Sequence, residues 1–139
     1  MIIEVTYHPS KHDLESIYQA LREFNEPFFP GLDEKVLALF IRDQHHQIIG
    51  GIAAHLFYDS LHIHRIWVNE AYRRKGVGTK LLKTAEKEAR KMQVKKVFLD
   101  TYNFQAPDFY QRHGFHEVGR YEGYPQDGTD KIFYRKTLI

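Results

Sequence analysis

Val68-Asn-Glu-Ala-Tyr-Arg73-Arg-Lys-Gly76-Val-Gly78-Thr-Lys-Leu-Leu82 is where a β-rich run gives way to helical periodicity. Upstream, residues 61–68 have strand composition. Downstream, Val77, Leu81, Leu82, Ala85, Ala89 and Met92 recur on one helical face, with lysines and glutamates on the other. Strand composition returns at 94–101. A strand, a helix and a further strand in this order imply a right-handed crossover and a parallel strand pair. The junction has its own chemistry. A helix N-terminus presents unpaired N–H groups and a positive dipole end, and glycine lets backbone approach an anion closely. With Arg73, Arg74 and Lys75 beside it, the turn is suited to phosphate. It is not a nucleotide P-loop, because Gly-Thr-Lys reverses the required Gly-Lys-Ser/Thr, and it lacks the third glycine of the dinucleotide fingerprint.

Outward from the junction, the expected elements are a first strand at residues 2–7, a helix after Ser10, and a loop at 25–31. Leu14, Ile17, Tyr18 and Leu21 share that helix's apolar face, and Ser10 stands three residues before Asp13 as its N-cap. Pro27 and Pro30 bar regular structure from the loop, whose Phe28 and Phe29 suit either core capping or the mouth of a binding site. Strands at 35–42, 48–58 and 61–68 form an antiparallel meander. After the strand at 94–101 come a short helix at about 106–112, closed by Gly114, and two strands at 115–121 and 131–138. The resulting fold class is α/β (α+β): a mostly antiparallel sheet of about six to seven strands with a central parallel pair, flanked by about four helices. With no repeat or low-complexity linker, residues 1–139 are expected to form one domain.

Composition narrows the functions available. The chain has 139 residues, 42% of them hydrophobic and 14% aromatic, enough for a core without staples. Cysteine is absent, which excludes a thiolate nucleophile, disulfides and sulfur-ligated zinc. Twenty Lys and Arg against eighteen Asp and Glu leave a net charge of +2, which does not suit nucleic-acid binding through a global basic field. No apolar run is long enough to span a bilayer and no signal-peptide pattern opens the chain, so a soluble, cytoplasmic protein without membrane attachment is expected.

Arg73-Arg74-Lys75-Gly76-Val77-Gly78 resembles the coenzyme A motif of the GCN5-related N-acetyltransferase (GNAT) superfamily, and Asn103, Phe109-Tyr110 and Gly114-Phe115 are similar to that superfamily's later segment. The likeness covers nearly the whole chain in element order, with its motifs concentrated between about residues 62 and 115. It is specific for the cofactor and uninformative about the acceptor. The resemblance implies acetyl-CoA as acyl donor, held by Arg73, Arg74, Lys75, Gly76, Val77, Gly78 and Thr79. It also implies that the strands at 61–68 and 94–101 splay apart, so that backbone around Trp67 and Val68 meets the pantetheine arm and thioester. Asn103 is implied as a pantetheine partner, and Tyr110 as the group facing the coenzyme sulfur and as a further cofactor contact. The implied reaction is direct transfer of acetyl to a primary amine in a ternary complex, with a small-molecule amine favoured over protein lysine or an N-terminus. Homodimers are common among such domains, so a homodimer is a further expectation.

A protonated amine with pKa near 10 must lose its proton before attack. His62 and His64 are expected on the same strand face as Ile66 and Val68, and an imidazole titrates near working pH. They are the expected bases, with Glu70 a solvated alternative. If Asp59-Ser60 is the hairpin turn, His55 opposes His64 and Phe57 opposes His62, gathering three imidazoles on one face unless a β-bulge intervenes. No metal is expected for the transferase. The readings that stay open beside it are a non-catalytic coenzyme A-binding module and a histidine-rich metal-binding protein.

Overall fold

A computed structural model describes residues 1–31 and 34–139. The chain divides into two compact units, Met1–Leu32 and Asp33–Ile139. The first is built on α1 (Lys11–Asn25), which begins as expected: the Ser10 hydroxyl oxygen accepts a hydrogen bond from the Asp13 N–H at 3.1 Å. The expected strand at 2–7 is not formed. A strand needs a neighbour to take up its N–H and C=O groups, and this unit offers no strand among its described residues.

The second unit contains β1 (Glu34–Arg42), β2 (Ile48–Phe57), β3 (Ser60–Val68), a 3-10 turn (Glu70–Tyr72), α2 (Val77–Lys91), β4 (Lys96–Tyr102), α3 (Pro107–Arg112), β5 (His116–Tyr121) and β6 (Lys131–Thr137). Its six strands lie in the order β1-β2-β3-β4-β6-β5. Neighbours are antiparallel except β3 and β4, the parallel pair implied by the intervening α2. The sheet therefore has six strands, and the described chain three α-helices. Asp43 shapes the β1–β2 turn, its Oδ1 accepting from the N–H groups of His45 and Gln47.

The core lies between α2 and one sheet face. Leu81, Leu82, Ala85 and Ala89 of α2 are buried with Ile52, Ala54 and Leu56 of β2, Leu61 and Ile63 of β3, and Val97 and Leu99 of β4. Met92, expected on the same helical face, is instead the C-cap and is exposed. α3 ends as expected, with Gly114 at φ +89°, its N–H donating to Gln111 O and the Phe115 N–H to Tyr110 O.

Two details of register correct the sequence expectation. The β2–β3 turn is centred on Tyr58 and Asp59, so that Phe57 pairs with Ser60 and His55 with His62. A bulge then leaves His64 as the extra residue, since Ala54 pairs with Ile63 but Ala53 with Arg65. The bulge shifts the alternation by one. Ile66 and Val68 consequently pack on the core with Leu61 and Ile63, and do not share the face of His62 and His64.

Candidate active site

The turn between β3 and α2 is tight and short of side chains that could cap the helix. Arg74 and Gly76 both take left-handed backbone, at φ +61° and +79°. Gly76 is the N-cap of α2 and so supplies no side-chain acceptor, and the first acceptor bond of the helix runs from Lys80 N–H to Gly76 O. The N–H groups of Val77, Gly78 and Thr79 are thus the ones an anion would meet. A Cβ at Gly76 would meet nothing within 4 Å, so the space over the turn is open. Gly78 is close-packed instead. A Cβ there would come within 3.3 Å of the Phe109 ring, so glycine lets α3 approach the start of α2.

A cavity of about 510 Å³ opens at this turn. Of the residues expected to bind the donor, Trp67, Val68, Arg73, Arg74, Gly76, Val77, Gly78, Thr79 and Tyr110 line it. Arg73 is held in place by its Nε–H, which donates to Val68 O at 2.9 Å. Lys75 is not part of the lining, and its Nζ lies 5.9 Å from the Tyr72 ring centroid. The cavity also takes in Phe109, which sequence reasoning matched to the family segment without a role, and Ile66, Tyr72, Ala106 and Arg112, which it missed. Arg112 was discoverable as a cation in the last turn of the helix that carries Tyr110.

The floor of this cavity is an unpaired strand edge. β3 and β4 pair only from Ser60 with Lys96 to Ile63 with Leu99, so the β4-facing edge of β3 has no ladder partner from His64 to Val68. Two parallel strands have parted, and on this stretch of β3 the backbone groups facing β4 have no strand partner.

Tyr110 is 7% exposed and sits among Phe109, Phe115 and Tyr134, with ring centroids 5.2, 6.0 and 6.2 Å away. Burial, with the Asp100 charge adding to it, pushes its phenol up to about 12. The hydroxyl therefore stays protonated across any working pH and acts as a hydrogen-bond donor.

Asn103 does not line the cavity. Its side chain joins the end of β4 to the 123–130 loop, Nδ2 donating to Gly128 O and Oδ1 accepting from the Asp130 N–H. Asp130 is itself committed, to Arg120 at 2.9 Å and to the Gly123 N–H. His62 and His64 also lie outside the cavity lining, on the sheet face turned from the core. Burial lowers the pKa of both. For His62 the neighbouring His64 and His55 charges add to the effect, and for His64 those of His55 and Arg65.

Among known proteins, the chain is 33% identical over 105 residues to an acetyltransferase of Agrobacterium fabrum, covering 76% of this chain and 77% of the relative. It is 30% identical over 108 residues to blasticidin-S acetyltransferase of Streptomyces morookaense, covering 73% and 76%. The solved structure of an acetyltransferase from Bacillus cereus superposes with a TM-score of 0.88 at 28% identity, over 97% of this chain and 98% of that one. A Bacillus anthracis structure of the same fold was solved with acetyl coenzyme A (24% identity, TM-score 0.65, 75% and 63% covered). The model of the acetyltransferase (GNAT) family matches residues 4–115. The chain therefore belongs to the acetyltransferase (GNAT) family as an acetyl-CoA-dependent N-acetyltransferase.

Proposed function

We propose that this enzyme transfers acetyl from acetyl-CoA to a primary amine of a small molecule, by direct attack in a ternary complex. The observation that carries the reading is the single cavity joining the uncapped start of α2, the unpaired edge of β3 and the Tyr110 side chain. Phosphates placed at the Val77, Gly78 and Thr79 N–H groups, with Arg73 and Arg74 beside them, direct the pantetheine arm along β3 towards Tyr110. Lys75 contributes charge from outside the lining. The relative named for acetylating blasticidin-S supports a small-molecule acceptor. The family match from residue 4 to 115 runs through both units of the chain and supports their working as one domain.

In the transfer, the amine nitrogen bonds to the thioester carbon and the carbonyl oxygen gains negative charge. The C–S bond then breaks and the sulfur leaves as thiolate, taking a proton to become the free thiol, while the nitrogen releases one. The backbone N–H of Val68, on the free edge of β3 next to Trp67, stabilises the oxyanion; one oriented donor is worth about 3 kcal/mol. The Tyr110 hydroxyl donates a hydrogen bond to the leaving sulfur. Because its pKa is near 12, it supports the thiolate without surrendering its own proton. His62 and His64 accept the amine proton if the acceptor reaches the thioester through the gap between β3 and β4, from the face opposite the core. Asn103 positions the loop at 123–130 beside the end of β4.

Calorimetric titration with acetyl-CoA tests the donor site, and release of free thiol across an amine panel tests the transfer. Binding in the wild type and its loss in Gly76→Glu, which sets a carboxylate on left-handed backbone at the phosphates, is the expected result. Binding without thiol release from any amine would leave a coenzyme A-binding module and end the proposal.

A further inference from the structure

β2 and β3 hold a feature that the donor cavity does not use. His55 and His62 are direct cross-strand partners, and His64 joins the same cluster. Ring centroids lie 5.5 Å apart for His55 and His62, 4.6 Å for His55 and His64, and 4.4 Å for His62 and His64. His55 Nδ1 and His64 Nε2 are in direct contact, and one nitrogen from each of the three rings lies within 4.8 Å of the others.

Strand geometry brings the three rings to one face, because His62 and His64 are two residues apart and His55 stands across from His62. Residues two apart on one strand face are separated by nearly 7 Å, and only one of them can stand directly opposite a given partner. Side chains leaning together close that spacing, the His62 and His64 ring centroids being 4.4 Å apart. Tetrahedral zinc at 2.0–2.1 Å from imidazole nitrogens needs those nitrogens roughly 3.3 Å apart, within side-chain rotation of the arrangement here. The surrounding charge is mixed. Asp100 of β4 and Lys131 of β6 act on His62, Arg65 and Asp100 act on His64, and Lys131 Nζ lies 3.8 Å from Asp100 Oδ1.

We infer that His55, His62 and His64 form a binding site for one zinc ion, each imidazole giving one nitrogen and water completing the coordination. Three neutral nitrogen ligands with an open fourth position suit zinc and cobalt(II) better than the hard cations, which take oxygen. The inference goes beyond the transferase reading and stands independently of it. It also bears on that reading, because a nitrogen bound to zinc has no lone pair for a proton, so zinc loading would remove the base proposed above.

The test uses tag-free full-length protein, loaded with zinc chloride, dialysed against metal-free buffer and assayed for metal by mass spectrometry. One equivalent per chain is expected in the wild type. His55→Gln and His64→Gln should each bind zinc at least about tenfold more weakly, with unchanged circular dichroism, whereas His45→Gln/His46→Gln in the β1–β2 turn should retain the full equivalent. Cobalt(II) added to the wild type should give the visible bands of four-coordinate metal and lose them on zinc addition, a readout needing no variant. No retained zinc in the wild type, an undiminished equivalent in His55→Gln, or six-coordinate cobalt would each overturn the inference.

Discussion

Tyr110 shows how one side chain's surroundings set its chemistry. A phenol among three aromatic rings, with Asp100 acting on it, keeps its proton and can serve the sulfur only as a donor. Tyr110→Phe should therefore lower kcat by about 10²-fold, the effect of removing one oriented donor, with acetyl-CoA affinity in calorimetry nearly unchanged. Turnover at the wild-type rate would refute the role. The same burial has a signature in stability. The folded pKa is raised, so the folded protein holds this proton where the unfolded chain has lost it, and stability falls as pH rises from 10 to about 12. Melting curves should show a steeper decline over that window in the wild type than in Tyr110→Phe. At this scale the glycines were legible in the sequence, because a turn into a helix constrains backbone locally. Asn103 was singled out only as an implied pantetheine partner, and the partners it has here, Gly128 and Asp130, lie 25 and 27 residues away.

Among elements, α2 joins the sheet through more than its apolar face. Glu86 belongs to the helix's charged series, which helical periodicity assigns to water. It is 5% exposed, and its Oε1 lies 2.5 Å from Lys136 Nζ of β6, a close ion pair without hydrogen-bond alignment. Removing Lys136 leaves the Glu86 charge buried and uncompensated, so Lys136→Met should cost about 3 kcal/mol in denaturant unfolding. Replacing both, as Glu86→Leu with Lys136→Met, should cost clearly less. An equal loss in the two variants would show that the pairing contributes nothing. Strand register was likewise hidden. Assigning the turn to Asp59-Ser60 and assigning it to Tyr58-Asp59 differ by one residue, and both satisfy the local composition.

Over the whole molecule, a donor bound at the proposed site and the fold that holds it should stabilise each other. Acetyl-CoA at a hundredfold its Kd should add about 2.7 kcal/mol and raise Tm accordingly, and Gly76→Glu should abolish that shift. No helix among the described residues is long and apolar enough to cross a membrane. The sequence by itself determined the element order from α1 onward, the apolar face of α2, the Ser10 and Gly114 caps, the parallel pair and the glycine turn that opens α2. Each of these follows from residues close together in the chain or from the handedness of a strand-helix-strand connection. Tertiary structure alone decided where β3 and β4 part, which residue the bulge leaves over, that residues 2–7 form no strand, and that Glu86 is buried. Those outcomes depend on which strand edges and faces meet, and the pairing energies that choose among them act between residues far apart in sequence.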